Sequence, residues 1–202
     1  MILLLTRHGE TDYNLARRYQ GQSDIPLNQT GLLQARQIAA RLSREKIDAI
    51  YSSNLSRAAD SAQAIADFHK IEIVKDARWR ELSFGAWEGL TYEEMNAGWR
   101  ELVVKWYADP VNTSTPRGET LAQLAARVDS ALGELKNKHK DDTVLVVSHS
   151  GAIQALLCLA LGVDLKRYWQ FRVSQTSLTS VGFYGGKAVL NLFNDVSHLQ
   201  GK

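Results

Sequence analysis

Histidine and arginine side chains follow three of the apolar runs that this sequence predicts as strands. Arg7 and His8 come directly after the first run, Arg57 comes shortly after the second, and His149 comes after a later one. The carboxyl ends of parallel strands meet at one edge of an open α/β sheet, so we expect these side chains to lie close together. The sequence therefore predicts a polar site at that edge, flanked by Ser150.

The residue types at this edge favour phosphate chemistry. An arginine presents a planar fork of donors that matches phosphate oxygens. A neutral imidazole can attack phosphorus directly and divide hydrolysis into two displacements, while a second histidine and the arginines stabilise the transferring group. Helix N-termini expected after Asn54 and after His149 would add backbone donors, and Asn14 would add a neutral one.

Glu81 is the predicted proton donor to the leaving alkoxide. It precedes residues 84–89, a glycine-containing segment able to turn over the site. A bound phosphate dianion would favour the protonated form of this carboxyl. After giving up its proton, the same group could activate water in the second displacement.

His8, His149 and Glu81 also have the composition of a metal-binding triad with two histidines and one carboxylate. Arg7 and Arg57 argue against it, because at about 5 Å and an effective dielectric of about 20 each guanidinium opposes a divalent cation by several kcal/mol. No aspartate-rich cluster offsets that repulsion. The sequence therefore favours a site without a metal or another cofactor.

The composition limits the class of protein and its partners. The chain has 202 residues, of which 45% are hydrophobic and 23% charged, which fits one domain over 1–202. Its formal charge of +2 gives no strongly basic surface, so nucleic acid is not an expected partner. The lone Cys158 excludes a disulfide within the chain. Residues 1–5 are too short an apolar run for a signal peptide, and no run is long enough to span a membrane. We expect a cytoplasmic monomer or homodimer that binds a small phosphorylated metabolite.

Apolar spacing predicts strands that alternate with helices. Strands are expected at 2–6, 47–51, 71–74 and 144–147, with a closing hairpin of 178–184 and 188–193. One helix is expected to begin at Leu32, and a second to follow the 47–51 strand and run through Ile65. A third is expected to begin at a capping box of Thr120 and Gln123, and a fourth to run from Gly151 to Gly162. This order predicts a three-layer α/β/α sandwich with a mostly parallel central sheet.

Residues 79–118 differ from the rest of the chain. They hold four of the five tryptophans and two prolines, and no clear strand. We interpret the segment as a helical lid insertion whose aromatic side chains would suit an aromatic leaving group. The alternative is a helical elaboration that covers apolar surface.

Five stretches resemble, in order, the motifs of the histidine phosphatase, or phosphoglycerate mutase-like, superfamily. They are LTRHGET at 5–11, Asn14 with QG at 20–21, DIPL at 24–27 and Gly31, YSSNLSRA at 51–58, RELSFGAWEG at 80–89, and VVSHSG at 146–151. The resemblance implies that His8 is the nucleophile and Glu81 the proton donor, and that no metal is required. It also implies a phosphate pocket and substrate contacts from Arg7, Asn14, Gln20, Gly21, Arg57, His149 and Ser150. Adjacent strand residues point to opposite faces, so the strand must break at His8, and we expect Gly9 to permit that break.

The substrate is predicted less directly. YWQFRVSQ at 168–175 and GET at 118–120 resemble α-ribazole-5'-phosphate phosphatases of cobalamin biosynthesis, although 168–175 could simply pack the last helix against the next strand. A broad-specificity phosphatase remains open, as does a cofactor-dependent phosphoglycerate mutase, which the short 90–117 stretch disfavours. A non-catalytic module that binds a phosphorylated ligand would keep the arginines but would not need Glu81.

Overall fold

A computed structural model describes residues 1–199. Six strands form one sheet: β1 (Ile2–Arg7), β2 (Ala49–Ser52), β3 (Ile73–Lys75), β4 (Thr143–Ser148), β5 (Leu178–Tyr184) and β6 (Lys187–Asp195). Their order is β3-β2-β4-β1-β5-β6. The first four are parallel neighbours, whereas β5 and β6 add antiparallel strands at one side. The predicted mostly parallel sheet is confirmed.

Helices connect the strands. The α-helices are α1 (Asp12–Leu15), α2 (Gln29–Leu42), α3 (Ser56–His69), α4 (Tyr92–Ala108), α5 (Leu121–Lys138) and α6 (Ser150–Leu161), and short 3₁₀ turns occur at Ala77–Trp79, Gly85–Trp87, Leu165–Gln170 and Ser197–Leu199. Within residues 1–199, none of these helices has both the length and the apolar character that crossing a membrane requires.

The central strand β4 shows how the two helical layers are separated. Its side chains alternate between the faces of the sheet and are almost all buried. Val144 and Val146 belong to the core that packs under α4, α5 and α6. Leu145 and Val147 belong to a second core under α2 and α3. A parallel strand buried on both faces is continuous in apolar character, and the predicted three-layer sandwich is confirmed.

The ends of two helices follow the sequence signals. Thr120 Oγ1 accepts a hydrogen bond from the Gln123 N–H over 3.2 Å, and Gln123 Oε1 accepts one from the Thr120 N–H over 2.8 Å. This is the predicted capping box of α5, a device that stabilises a helix by about 1 kcal/mol. The last helix ends at Gly162 in the left-handed conformation, with φ of 67°, as expected of a glycine cap.

Two local predictions need correction. The third strand begins at Ile73 rather than at residue 71 and is confined to the edge of the sheet. Leu32, expected on the buried face of α2, is 45% exposed, because Gly31 takes the inward position one turn before Ala35. The helix after β2 begins at Ser56, with Leu55 as its N-cap residue, so the helix N-terminus predicted after Asn54 is present.

The tryptophans of residues 79–118 pack into the core. Trp79, Trp87 and Trp106 are at most 1% exposed and join the cluster under α4, α5 and α6. Trp99 is half-buried at a break in α4, where its φ of −141° and ψ of 39° are not helical. The expectation that these tryptophans face a ligand is wrong for the three buried ones. Their burial matches the alternative, in which the segment covers apolar surface.

Candidate active site

Strands β1 and β4 are hydrogen-bonded to each other up to their carboxyl ends, where the site begins. Arg7 pairs with Ser148 in the register of β1 and β4, and the His8 N–H donates to the Ser148 carbonyl over 3.0 Å. The next residue on each strand is a histidine, and the ring centroids of His8 and His149 lie 5.0 Å apart. The strand ends at Arg7, so the predicted break at His8 is present.

The environment of His8 fixes which ring nitrogen can act. Its Nδ1 lies 2.6 Å from the Gly9 carbonyl oxygen, which only accepts hydrogen bonds, so Nδ1 carries the proton. The lone pair is therefore on Nε2. Burial, and next the charges of Arg57 and Arg7, hold the pKa of His8 well below its ordinary value. His8 is a neutral imidazole at neutral pH, and it faces the cavity described below.

Gly9 is required for a reason that the sequence did not show. Its φ is not positive, so the break at His8 does not depend on a left-handed glycine. A Cβ atom at Gly9 would instead lie 2.5 Å from the carbonyl oxygen of Gly31. The loop after β1 thus packs backbone to backbone on the first turn of α2, which leaves no room for a side chain.

His149 lies beneath the site. It is fully buried, and neither of its ring nitrogens has a hydrogen-bond partner within the described residues. Burial, and then the charge of Arg57, holds the pKa of His149 well below its ordinary value. Buried polar nitrogens are nearly always paired, so this arrangement fits a ring that meets a ligand atom.

Two guanidinium groups flank the histidines, of which Arg57 is fully buried and Arg7 is half-buried. Arg7 Nη1 donates to the Val173 carbonyl over 2.8 Å, and Arg57 donates to the carbonyls of Ser23 and Gly21 over 2.8 and 2.7 Å. The Nε atoms of both arginines lack partners, and within residues 1–199 neither group forms an ion pair. Burial lowers the pKa of Arg57 to about 10, so it stays charged at neutral pH. A buried charge without a counterion is costly, and a bound anion would relieve that cost.

Glu81 sits at the N-terminus of α6. Its Oε1 accepts from the Leu82 N–H over 2.8 Å, and its Oε2 accepts from the Gly151 N–H over 3.1 Å. Glu81 is the one acidic side chain among the described residues that line the cavity. It is therefore placed where a proton could be exchanged with a bound group.

These side chains surround a cavity of about 270 Å³. Of the residues predicted for the site, it is lined by Arg7, His8, Asn14, Gln20, Gly21, Arg57, Glu81 and Ser150, whereas His149 lies behind them. Asn14 uses its Oδ1 to accept from the Thr11 N–H over 3.1 Å, which leaves its amide N–H groups as donors. Gln20 is buried, and its Oε1 has no partner within the described residues.

The outer wall of the cavity is aromatic. Tyr19, Phe84, Tyr168 and Trp169 line it. Trp169 is half exposed and stacks on Tyr107, with ring centroids 6.1 Å apart and planes 16° apart. The aromatic character predicted for the site is present, but among these aromatic lining residues only Phe84 comes from 79–118, and none is one of the tryptophans of that segment.

At each helix N-terminus that we expected to supply donors, one backbone N–H is bonded to a carboxylate. The Ser56 N–H of α3 donates to Asp24 Oδ1 over 2.7 Å, and Asn54 Oδ1 accepts from Arg80 instead. The Gly151 N–H of α6 donates to Glu81. A carboxylate from a distant segment therefore takes one backbone donor at each helix end, which reduces what these ends could contribute to anion binding.

Sequence reasoning missed the residues that hold the site in place. Glu88 accepts from the N–H groups of Gln22 and Phe84 over 2.9 and 3.1 Å and from the Ser23 hydroxyl over 2.5 Å, which fixes the loop that binds Arg57. Arg127 and Glu119 contact the segment that carries Glu81. Glu88 and Glu119 stand inside stretches that resemble the family's, but nothing in a linear sequence shows what they contact.

His8, His149 and Glu81 do not form the metal triad that their composition allowed. Throughout residues 1–199, no group of three histidine, cysteine, aspartate or glutamate side chains is arranged to hold a metal ion. The lone Cys158 is buried, and burial raises the pKa of its thiol to about 11, which disfavours the thiolate that a nucleophile or metal ligand needs.

A mostly parallel α/β sheet that brings two guanidinium groups and two imidazoles together at the carboxyl ends of its strands is typical of a phosphate-handling enzyme. The chain matches the histidine phosphatase superfamily (branch 1) over residues 3–196 and belongs to that family. It is a phosphoric monoester hydrolase, since relatives that match nearly its whole length include proteins named as phosphatases.

The similar proteins differ in the substrates that their names give. The chain is 36% identical to phosphoserine phosphatase 1 of Hydrogenobacter thermophilus, over 98% of this chain and 93% of that protein. It is 36% identical to phosphoglycerate mutase-like protein 4 of Arabidopsis thaliana, over 98% and 86% respectively. The α-ribazole phosphatase of Shigella flexneri superposes with a TM-score of 0.91 at 26% identity, over 96% of each chain.

Proposed function

We propose that the protein hydrolyses small phosphomonoesters through a phosphohistidine intermediate on His8. The observation that carries this proposal is the 2.6 Å contact between His8 Nδ1 and the Gly9 carbonyl, which leaves the Nε2 lone pair available at the cavity. The lowered pKa of the ring keeps that lone pair unprotonated at neutral pH. A positioned neutral imidazole is the form that can attack phosphorus.

In the first displacement, the Nε2 lone pair of His8 forms a bond to phosphorus. The bond between phosphorus and the ester oxygen breaks, its electron pair stays on that oxygen, and the oxygen takes the proton of Glu81. Arg7, Arg57 and His149 stabilise the charge on the equatorial oxygens of the transferring group. The alcohol leaves, and the phosphoryl group remains on His8.

In the second displacement, a water oxygen attacks phosphorus from the side that the alcohol has left. The Glu81 carboxylate takes a proton from that water, and the electron pair of the nitrogen–phosphorus bond returns to Nε2. Inorganic phosphate leaves with the original states of His8 and Glu81 restored. One carboxyl thus acts first as acid and then as base.

For the substrate, α-ribazole 5'-phosphate is our specific candidate. Its support is the aromatic wall, in which Tyr168 and Trp169 come from the segment that resembles α-ribazole phosphatases. A base stacked on such rings would gain about 0.5–1.5 kcal/mol beyond its burial. The alternatives are a broad-specificity phosphatase and a phosphoglycerate mutase. We further propose that the protein acts in the cytoplasm on a small metabolite, without a metal, as a monomer or homodimer.

Turnover of p-nitrophenyl phosphate tests the chemistry. We expect the wild-type protein to release phosphate equally well with and without a chelator, and His8→Ala to lose at least about 1,000-fold in kcat while keeping its circular dichroism. Activity that a chelator abolishes would reject the metal-free mechanism. Turnover of α-ribazole 5'-phosphate, sugar phosphates and phosphoglycerates in parallel identifies the leaving group, and retention of phosphate on a sugar acid would indicate a mutase.

A further inference from the structure

We propose that Arg127 and Glu119 form a positioning pair that holds the Glu81 carboxyl in place for proton transfer. This inference rests on the proposed function, because it assigns a role to residues that act through Glu81. Neither side chain lines the cavity, so both are positioning residues rather than catalytic ones.

Arg127 donates hydrogen bonds to three backbone carbonyls of the segment that leads into Glu81. Its Nη1 donates to the carbonyls of Arg78 and Arg80 over 2.8 and 2.6 Å, and its Nη2 donates to the Glu81 carbonyl over 2.7 Å. Residues 80–84 form neither helix nor strand, so they have no ladder of hydrogen bonds to hold them. One side chain from the regular helix α5 therefore takes the place of secondary structure beside the acid.

Glu119 fixes the other half of the arrangement. Its Oε2 and Oε1 accept from Arg127 Nε and Nη2 over 3.2 and 2.5 Å, and Oε1 also accepts from the Ser83 N–H over 2.9 Å. All five N–H groups of Arg127 are thus engaged. Arg127 and Glu119 are only 19% and 17% exposed, so water competes weakly for these bonds.

The position of the Glu81 carboxyl depends on the backbone around it. Its backbone carbonyl accepts from Gln22 over 3.2 Å, and its oxygens accept two backbone N–H groups, one of them from its own neighbour Leu82. A shift of about 1 Å in a proton donor can lower a rate by about 100-fold. Loosening Arg127 should therefore weaken proton transfer while leaving phosphate binding by Arg7 and Arg57 in place.

The choice of leaving group separates this role from a general loss of structure. A p-nitrophenolate leaves without a proton, whereas the alkoxide of glycerol phosphate needs one. We expect Arg127→Lys and Glu119→Gln each to lower kcat/KM for glycerol phosphate by about 10-fold or more, within the range of general acid catalysis. For p-nitrophenyl phosphate we expect a loss of less than about 3-fold.

Two features make the variants informative. Arg127→Lys keeps the positive charge that also lowers the pKa of His149, but a single ammonium cannot reproduce the planar fork. Arg78→Ala is the matched control, since Arg78 also joins this segment to α5, through Glu134 over 2.6 Å, without contacting Glu81. It should change both substrates by the same factor.

Equal losses on both substrates, or none on either, in Arg127→Lys and Glu119→Gln would overturn the positioning role. If one variant is too unstable to assay, the other decides. The proposed function fails differently, because it is rejected when His8→Ala retains turnover of p-nitrophenyl phosphate. If His8→Ala is inactive and Arg127→Lys leaves the ratio of kcat/KM for the two substrates unchanged, only the positioning pair is rejected.

Discussion

The carboxylate of Glu81 lies against the backbone of Gly151, whose N–H donates to Oε2 over 3.1 Å. A Cβ atom at Gly151 would lie 2.4 Å from Glu81 Oε1. Gly151 is part of α6, where its backbone conformation would tolerate any residue. A side chain at this position would therefore displace the predicted acid, although the helix itself would accept one.

Gly151→Ala should displace Glu81 while leaving the fold intact. We expect kcat/KM for an alkyl phosphate to fall by about 10-fold or more, because proton donation depends on the position of the carboxyl. Steady-state kinetics and thermal unfolding measure the two effects. Gly133→Ala in α5 is the matched control, since its Cβ would meet nothing within 4 Å. It should gain up to about 1 kcal/mol of stability and keep full activity. Wild-type kinetics in Gly151→Ala would contradict this account of the acid.

Much of the fold and the site could be predicted because both depend on local patterns. Alternating apolar runs identify the strands, and residues at strand ends, such as His8 and His149, meet wherever parallel strands are neighbours. The contacts that could not be predicted are between segments that are distant in the sequence and close in the folded chain. The contact of Gly9 with Gly31 joins segments 22 positions apart, and the capping of α3 by Asp24 is also non-local.

The tryptophans also show that a sequence pattern alone does not determine what a side chain contacts. A tryptophan-rich segment beside a site suits a ligand wall and a packed core equally well, because burial stabilises the ring in both. Trp106 is fully buried, whereas Trp169, outside the segment, lines the cavity. Only the path of the chain decides between these outcomes.

Glu88→Ala should weaken phosphate binding although Glu88 does not line the cavity. The substitution removes the carboxylate that fixes the loop whose Gly21 and Ser23 carbonyls accept hydrogen bonds from Arg57. The Ki for inorganic phosphate as a competitive inhibitor should rise about 10-fold, which corresponds to about 1.4 kcal/mol. Glu45→Ala, which removes an exposed ion pair with Arg41, is the control and should leave Ki unchanged. An unaltered Ki in Glu88→Ala would show that the loop does not depend on this carboxylate.

Stability should fall as the pH is lowered through the histidine range. The pKa values of His8 and His149 are lowered in the folded protein, mainly by burial. The unfolded chain therefore takes up protons first as the pH drops below about 6.5, and each histidine removes up to about 1.4 kcal/mol per pH unit until its folded pKa is reached.

Thermal or urea unfolding between about pH 7.5 and pH 5, in buffers without phosphate, measures this slope. His8→Gln should show a shallower decline than the wild type. His69→Gln, at the end of α3 and away from the cavity, is the control and should decline like the wild type. An identical slope in His8→Gln would mean that His8 is not held neutral by the folded protein.

The phosphorylated residue itself gives the most direct test of the central claim. Rapid quenching during turnover of a ³²P-labelled ester, followed by peptide mapping and ³¹P NMR, identifies both the residue and the ring nitrogen. Since Nδ1 of His8 donates to the Gly9 carbonyl, the label should be acid-labile and base-stable and lie on Nε2 of His8. Label on His149, on Nδ1, or on no residue at all while phosphate is released would contradict the mechanism.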